Sequence, residues 1–227
     1  MGKNDFEVIL MSLSVQYHNT VNNIAFKKFS NVEIDVFFAI CSQLEEKGSD
    51  EVSLSFRQLK ELSNLNMMTD SSLVKVLRSL YKKMATLYFY RLSEDGSETC
   101  FVIFKEYSID TSKSNIAIKT NAEYMYLLND LTSNFTIFEM KEFTSLRSKY
   151  SKSIYRLLKQ SNLGKQVINI DEFRKLLAVP KSYKMTNIDK KILEPVCEEL
   201  SIYFDEMSIT KVKTGKSIVA FEFTWNK

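Results

Sequence analysis

Twice in its 227 residues the sequence sets out the same order of elements: an apolar-periodic helix, a short strand, a short helix, a longer helix and a pair of strands. In the first half, Ser30-Asn-Val-Glu33 has the Ser-x-x-Glu spacing in which the two side chains satisfy each other's unpaired backbone donors. It opens the stretch Val32 to Leu44, which Gly48 is expected to end. Val52 to Leu54 reads as a strand running into a second box, Ser55 to Gln58, and a short helix through Leu62. A further helix spans Asp70 to Met84, because Leu73, Leu77, Leu80 and Met84 recur at helical spacing. Thr86 to Leu92 and Thr99 to Tyr107, rich in aromatic and β-branched residues, flank the turn Ser93 to Glu98 and predict a hairpin.

The second half repeats the order with different residues. A long helix from Phe143 to Asn162 stops near Gly164, a strand covers Gln166 to Ile170, and Asp171 to Ala178 is a short helix ended by Pro180. A helix from Asn187 to Tyr203 follows, then strands Ser208 to Lys213 and Ser217 to Thr224 turning at Thr214-Gly215. This is the order of a helix-turn-helix with a β-hairpin wing. The expectation is an α+β chain of two tandem winged-helix domains, residues 1–130 and 131–227, with 108–130 as the join, holding Ile116 to Lys119 and a small helix near Tyr124 to Leu128. Pro195 lies inside the last long helix, where it has no N–H for the Lys191 carbonyl, so a bend or restart is expected there.

Composition excludes more than it selects. Cys41, Cys100 and Cys197 form no CxxC pair and read as reduced, buried thiols of a cytoplasmic protein. No apolar run is long enough to span a bilayer, so no membrane partner is expected. Thr214-Gly-Lys-Ser217 resembles the end of a phosphate-binding loop, but Thr210 stands where that loop needs Gly and a strand follows instead of a helix. His18 is the lone histidine, which excludes a histidine-pair metal for tyrosine-dependent strand nicking, and no Cys/His cluster has zinc spacing. No catalytic residue, metal or cofactor is expected.

The charge distribution points to duplex DNA. Lys and Arg lead Asp and Glu by 13 to 4 between Lys141 and Lys191, whereas residues 1–121 carry 14 basic and 15 acidic side chains. Helical phase puts Ile188, Ile192, Val196, Leu200 and Tyr203 on one side of the last helix, with Asn187, Lys190, Lys191, Glu194 and Glu198 opposite. Basic at its start and acidic further on, that face suits a helix entering the major groove end-first. Lys184, Ser182 and Tyr183 precede it. Lys149, Lys152, Arg156 and Lys159 share one face of the helix that opens the second half, and Lys211, Lys213 and Lys216 lie on the wing, together a phosphate-tracking surface. In the first half Ser71, Lys75, Arg78 and Lys82 lie opposite the apolar stripe and form a candidate second reading head.

Beyond this architecture, several long segments are familiar. Phe135-Thr-Ile-Phe-Glu-Met-Lys-Glu-Phe-Thr144, Leu146-Arg-Ser-Lys-Tyr-Ser-Lys-Ser-Ile-Tyr-Arg-Leu-Leu-Lys-Gln160, Phe173-Arg-Lys-Leu-Leu-Ala-Val-Pro-Lys-Ser-Tyr183, Ile192-Leu-Glu-Pro-Val-Cys-Glu-Glu-Leu200 and Phe221-Glu-Phe-Thr224 resemble the theta-type, iteron-binding plasmid replication initiators of low-GC Gram-positive bacteria. The resemblance implies two winged-helix domains straddling one direct repeat of the origin, with the second making the main base contacts and the first serving dimerisation. It implies a monomer that opens the origin, a dimer that represses its own promoter, and host replication-initiation and helicase-loading proteins as further partners. Lys149, Lys152, Ser153 and Arg156 match the family's basic helix, and Lys184 to Lys191, with Asn187 and Lys190, match its recognition segment. The residues by themselves leave open a tandem winged-helix transcriptional regulator without an initiator role, and a winged-helix adaptor that binds protein.

Overall fold

The α-helix starts of the first half carry side-chain caps. Ser30 N–H donates to Glu33 Oε2 at 2.6 Å and Glu33 N–H to Ser30 Oγ at 3.3 Å, opening α1 (Asn31–Lys47). The computed structural model describes residues 14–47, 51–93, 95–128, 134–161 and 163–226, so Gly48, Glu94 within the Ser93 to Glu98 turn, and Asn162 lie outside the described residues. The Ser55–Gln58 box opens α2 (Phe56–Leu62), and Thr69 caps α3 (Asp70–Met84) by accepting from Ser72 N–H. Leu73, Leu77, Leu80 and Met84 are buried, as the spacing predicts.

Two three-stranded antiparallel sheets of the same topology identify the two copies of the fold. In the first, β2 (Glu51–Ser55), β5 (Phe104–Asp110) and β6 (Asn115–Thr120) lie in the order β2-β6-β5. In the second, β8 (Lys165–Asn169), β9 (Ser208–Thr214) and β10 (Ser217–Thr224) lie in the order β8-β10-β9. Both are winged helices, with the last two strands as the wing.

The first wing is not the hairpin expected from the sequence. β3 (Phe89–Leu92) and β4 (Glu98–Phe101) do pair around the expected turn, but as a separate two-stranded sheet inserted before the wing. The strand expected from Thr99 to Tyr107 breaks at Val102 and Ile103, and its second part, β5, pairs with β6. Residues 108–130 are therefore not a join, since they contain the central strand of the sheet. Their turn has neither Gly nor Pro: the Asp110 carboxylate accepts from Ser112 and Lys113 N–H at 3.0 and 3.1 Å, imitating a backbone turn.

Two helices of the second half also differ. The helix expected from Phe143 to Asn162 is split into α4 (Met140–Ser145) and α5 (Lys149–Gln160), because Ser148 caps a new start by accepting from Tyr150 N–H. The last long helix runs as α7 (Met185–Ile188), a π turn at Asp189–Leu193 and α8 (Glu194–Leu200), following α6 (Ile170–Leu176). The π turn answers Pro195: widening the helix moves the Lys191 carbonyl off the proline ring, and Glu194 N–H reaches back five residues to the Asp189 carbonyl.

The boundary expected at residues 130 and 131 lies outside the described residues, but the described residues on its two sides share one core. β7 (Phe135–Glu139) pairs antiparallel with β1 (Ser14–His18), and Phe38 of α1 meets Phe138 and Phe143 at 5.5 and 5.0 Å between ring centroids. The buried apolar residues of both halves form one continuous cluster. No helix among the described residues is long and apolar enough to cross a membrane.

α5 lies at the centre of this arrangement, buried on two sides. Lys152 Nζ donates to Asp35 Oδ1 of α1 at 2.5 Å and to the Phe143 carbonyl at 2.8 Å, with the lysine side chain 1% exposed. Arg156 lies over the Phe26 and Phe38 rings, 4.9 and 5.2 Å from their centroids, and donates to Asn22 Oδ1 and the Val21 carbonyl at 3.3 and 3.4 Å. Asn22 also accepts from Tyr17 OH and donates to Thr136 Oγ1 and Gln160 Oε1, so one buried polar network ties the N-terminal segment, β7 and α5 together.

Removing one partner of a buried ion pair leaves the other charge unpaired, at a cost of about 3–5 kcal/mol, whereas replacing both with apolar groups is often neutral. Lys152→Ala is therefore expected to lower stability by that amount in urea unfolding. The double change Lys152→Met with Asp35→Leu should recover most of it. A Lys152→Ala protein as stable as the parent would contradict the buried position.

Candidate nucleic-acid interface

The second helix-turn-helix is built around a tight turn. Ala178 takes a left-handed φ of 49°, and Arg174 Nη2 donates to the Tyr183 carbonyl at 3.0 Å, holding the segment that leads into α7. Lys184 N–H donates to Asn187 Oδ1 at 3.1 Å, which satisfies one of the donors left over at the helix start. Asn187 is half-buried, and its side-chain oxygen caps the helix start. Lys184 and Lys190 are exposed, and Lys191 is exposed with its ammonium 5.1 Å above the Tyr183 ring. Ile188, Ile192, Val196 and Leu200 are buried beneath, with Glu194 and Glu198 exposed further along. The gradient from basic to acidic along the outer face is present in the structure.

The wing carries Lys213 and Lys216 in the open, on either side of Gly215, which takes a φ of 60° at the tip. Thr214 and Ser217 face each other across this turn, so the Thr214-Gly-Lys-Ser217 segment is a hairpin and not a phosphate-binding loop. Lys211 is different: its Nζ lies 2.6 Å from Asp189 Oδ1 at the first position of the π turn. The pair fastens the wing to the helix and removes Lys211 from the open cations. Lys175 on α6 and Lys181 in the turn are exposed as well. They belong to the basic run that the sequence shows, but their phase in a short helix and a turn left no periodicity by which to single them out.

Lys152, Ser153 and Arg156 are not on any surface, which corrects the phosphate-tracking role expected for them. The helical phase was right, but the face opposite the apolar stripe packs against α1 instead of water. Burial pushes the Lys152 ammonium and the Arg156 guanidinium down from their ordinary values, and pushes the Asp35 carboxyl up against the opposing pull of Lys152. The sequence did hold a signal: Asp35 stands alone among Ile34 and Val36 to Cys41, and a carboxylate on a fully apolar face needs a buried cation. Lys149 is half-buried with its ammonium 5.6 Å from the Tyr150 ring, and Lys159 pairs with Glu142 at 3.0 Å.

On the first domain Ser71, Lys75, Arg78 and Lys82 are exposed along α3, on the side away from its buried stripe. α3 and the α7–α8 helix occupy the same place in the two copies of the fold. Cys41 is buried, Cys197 half-buried and Cys100 exposed, all as free thiols, so burial holds for only part of the set. His18 Nδ1 lies 2.8 Å from Thr20 Oγ1. Among the described residues no three His, Cys, Asp or Glu side chains are placed to hold a metal ion.

Comparison with known proteins gives the chain a family context. A family model described as "Initiator Replication protein, WH1" matches residues 14–159, and one described as "Initiator Rep protein, WH2" matches residues 169–225. A "Probable replication protein rep" of Bifidobacterium longum (strain NCC 2705) is 36% identical over 216 residues, covering 93% of this chain and 72% of that protein. Among solved structures, the Pi initiator protein in complex with iteron DNA superposes with a TM-score of 0.71 at 16% identity, covering 95% of this chain and 98% of that one. That likeness shows a shared fold.

The Asp189–Lys211 pair is about a third exposed on both sides, so its loss should cost no more than about 1 kcal/mol. Asp189→Ala is expected to leave the melting temperature nearly unchanged while hydrogen exchange quickens at the β9–β10 tip. Unchanged exchange there would mean that the wing is held by its strands alone.

Proposed function

Because the chain belongs to the replication initiator family, we propose that it acts as a non-catalytic, sequence-specific binder of double-stranded direct repeats at a plasmid origin. The observation that carries this reading is the matched pair of heads. Each copy of the fold turns the apolar side of its third helix inward and leaves cations outward, Lys75 and Arg78 on one, Lys184, Lys190 and Lys191 on the other. Open cations on a helix and a wing neutralise backbone phosphates, and the first turns of the helix meet base edges.

The second domain is the main reader, since the wing lysines Lys213 and Lys216 flank its helix. The first domain adds contacts through α3 and carries self-association. Packing of β7, α4 and α5 against α1 supports a functional division after α5, not near residue 130. Autorepression of the protein's own promoter, host replication-initiation and helicase-loading partners and a cytoplasmic setting accompany this role.

The test is a titration of a repeat duplex and a shuffled duplex over a range of salt. If about 6–10 phosphates are neutralised, affinity falls by roughly 10³–10⁵ between about 50 and 200 mM salt. Lys213→Ala and Lys216→Ala should weaken both duplexes alike, whereas Lys190→Ala should reduce the preference for the repeat by about 1–3 kcal/mol. Affinity insensitive to salt, or equal affinity of the parent protein for both duplexes, would overturn the proposal.

A further inference from the structure

We infer that Glu199 is a positioning residue that sets the spacing between the two DNA-reading heads. The inference rests on the function proposed above and concerns the far end of the reading helix, away from its basic start. Of the three glutamates on α8, Glu194 and Glu198 are exposed but Glu199 is half-buried, and its Oε2 accepts from the backbone N–H of Arg147 and of Ser148 at 2.8 and 3.3 Å. Those N–H groups belong to the connector between α4 and α5, immediately before the first turn of α5. A helix start leaves such donors unpaired and favours a negative charge, so a carboxylate from another domain is well matched to it.

The same connector is gripped from both sides. Asn31, the first residue of α1, donates its side-chain amide to the Arg147 carbonyl, while Ser145 Oγ and Tyr203 OH, just beyond α8, are 2.5 Å apart. Tyr155 of α5 packs edge-on against Tyr203 and Phe204, with centroids 6.0 and 5.8 Å apart. Because Lys152 and Arg156 bind α5 to the first domain, whatever fixes α8 to the start of α5 fixes the second reading helix relative to the first domain and to α3 within it. Glu199 is not needed for the second domain's own core, which takes Val196 and Leu200 from the same helix.

Two linked heads gain affinity over one only when their spacing matches the spacing of their sites. A rigid anchor at Glu199 therefore makes the protein intolerant of a changed distance within the repeat, and a loosened anchor makes it tolerant.

The experiment uses the full chain and three duplexes: the repeat itself, and the repeat with one base pair inserted or deleted between the segments that footprinting assigns to the two heads. The parent protein should bind the altered duplexes about tenfold or more weakly than the repeat. Glu199→Ala should bind the repeat less tightly and shrink that penalty to about threefold or less, while Glu199→Gln, which still accepts a backbone N–H, should keep most of it. Thermal melting confirms that each variant is folded, and Tyr203→Phe, which loses only the Ser145 contact, gives a milder shift in the same direction if Glu199→Ala does not fold. A folded Glu199→Ala or Tyr203→Phe protein with the parent's full penalty overturns the inference. A parent protein that binds the repeat but ignores spacing also overturns it and leaves the function standing, whereas a parent that does not bind the repeat removes the function first.

Discussion

The contact between Lys152 and Asp35 is the constraint on which the arrangement of the chain depends. A buried carboxylate near the start of α1, flanked by Ile34, Val36 and Phe37, cannot be left uncompensated in an apolar layer. Its cation comes from residue 152, on the far side of the first wing and of β7. Supplying it draws α5 across α1 and carries Arg156 onto the rings of Phe26 and Phe38. Buried pairs of this kind add little net stability compared with apolar residues of the same volume. Their effect here is on geometry: the observed placement of α5 satisfies Asp35, Asn22 and the Phe143 carbonyl together.

The α7–α8 helix shows a similar accommodation. Its apolar stripe, Ile188, Ile192, Val196 and Leu200, advances by four residues at each step, and at about 100° per residue each step overshoots a full turn by about 40°. A continuous α-helix would carry the last side chain well off the face occupied by the first. The π turn between Asp189 and Leu193 has more residues in its turn and takes up part of the excess, so all four side chains are buried. Pro195 and the spacing of the stripe therefore call for the same irregularity, and Asp189, at its first position, is the residue that meets the wing.

Where the determinants are local, the sequence is a reliable guide. The boxes Ser30–Glu33 and Ser55–Gln58 and the stripe of α3 needed only their own spacing, and they appear where that spacing puts them. The repeated order of elements was enough to identify two winged helices. The first wing was hidden because its turn is made by an Asp110 side chain, while the Gly-containing turn at Ser93 to Ser97 belongs to the inserted hairpin. The break at Ser148 was hidden because hydrophobic periodicity runs on through Leu146 and Tyr150, although a serine there is also a good cap. The basic face of α5 was misassigned for a different reason, since helical phase tells which residues share a face but not what the face meets.

Net charge is a poor guide to a nucleic-acid surface in such a chain, and the basic run between Lys141 and Lys191 shows why. Lys152 and Arg156 are consumed inside the fold, and Lys159 is paired with Glu142. Just beyond that run Lys211 is paired with Asp189, and within it Lys165 with Glu222. What reaches the solvent as an open field is a smaller set, Lys175, Lys181, Lys184, Lys190 and Lys191 on and before the α7–α8 helix with Lys213 and Lys216 on the wing. Lys190 directly follows Asp189, but that carboxylate is taken by Lys211, and the hairpin topology brings the helix and wing lysines into one domain. That field is local, because beyond about 10 Å at ordinary salt the acidic residues of the first half are screened away. The open positive field of the second domain thus follows from which lysines the fold leaves without a carboxylate, and the overall excess of +3 neither supplies it nor measures it.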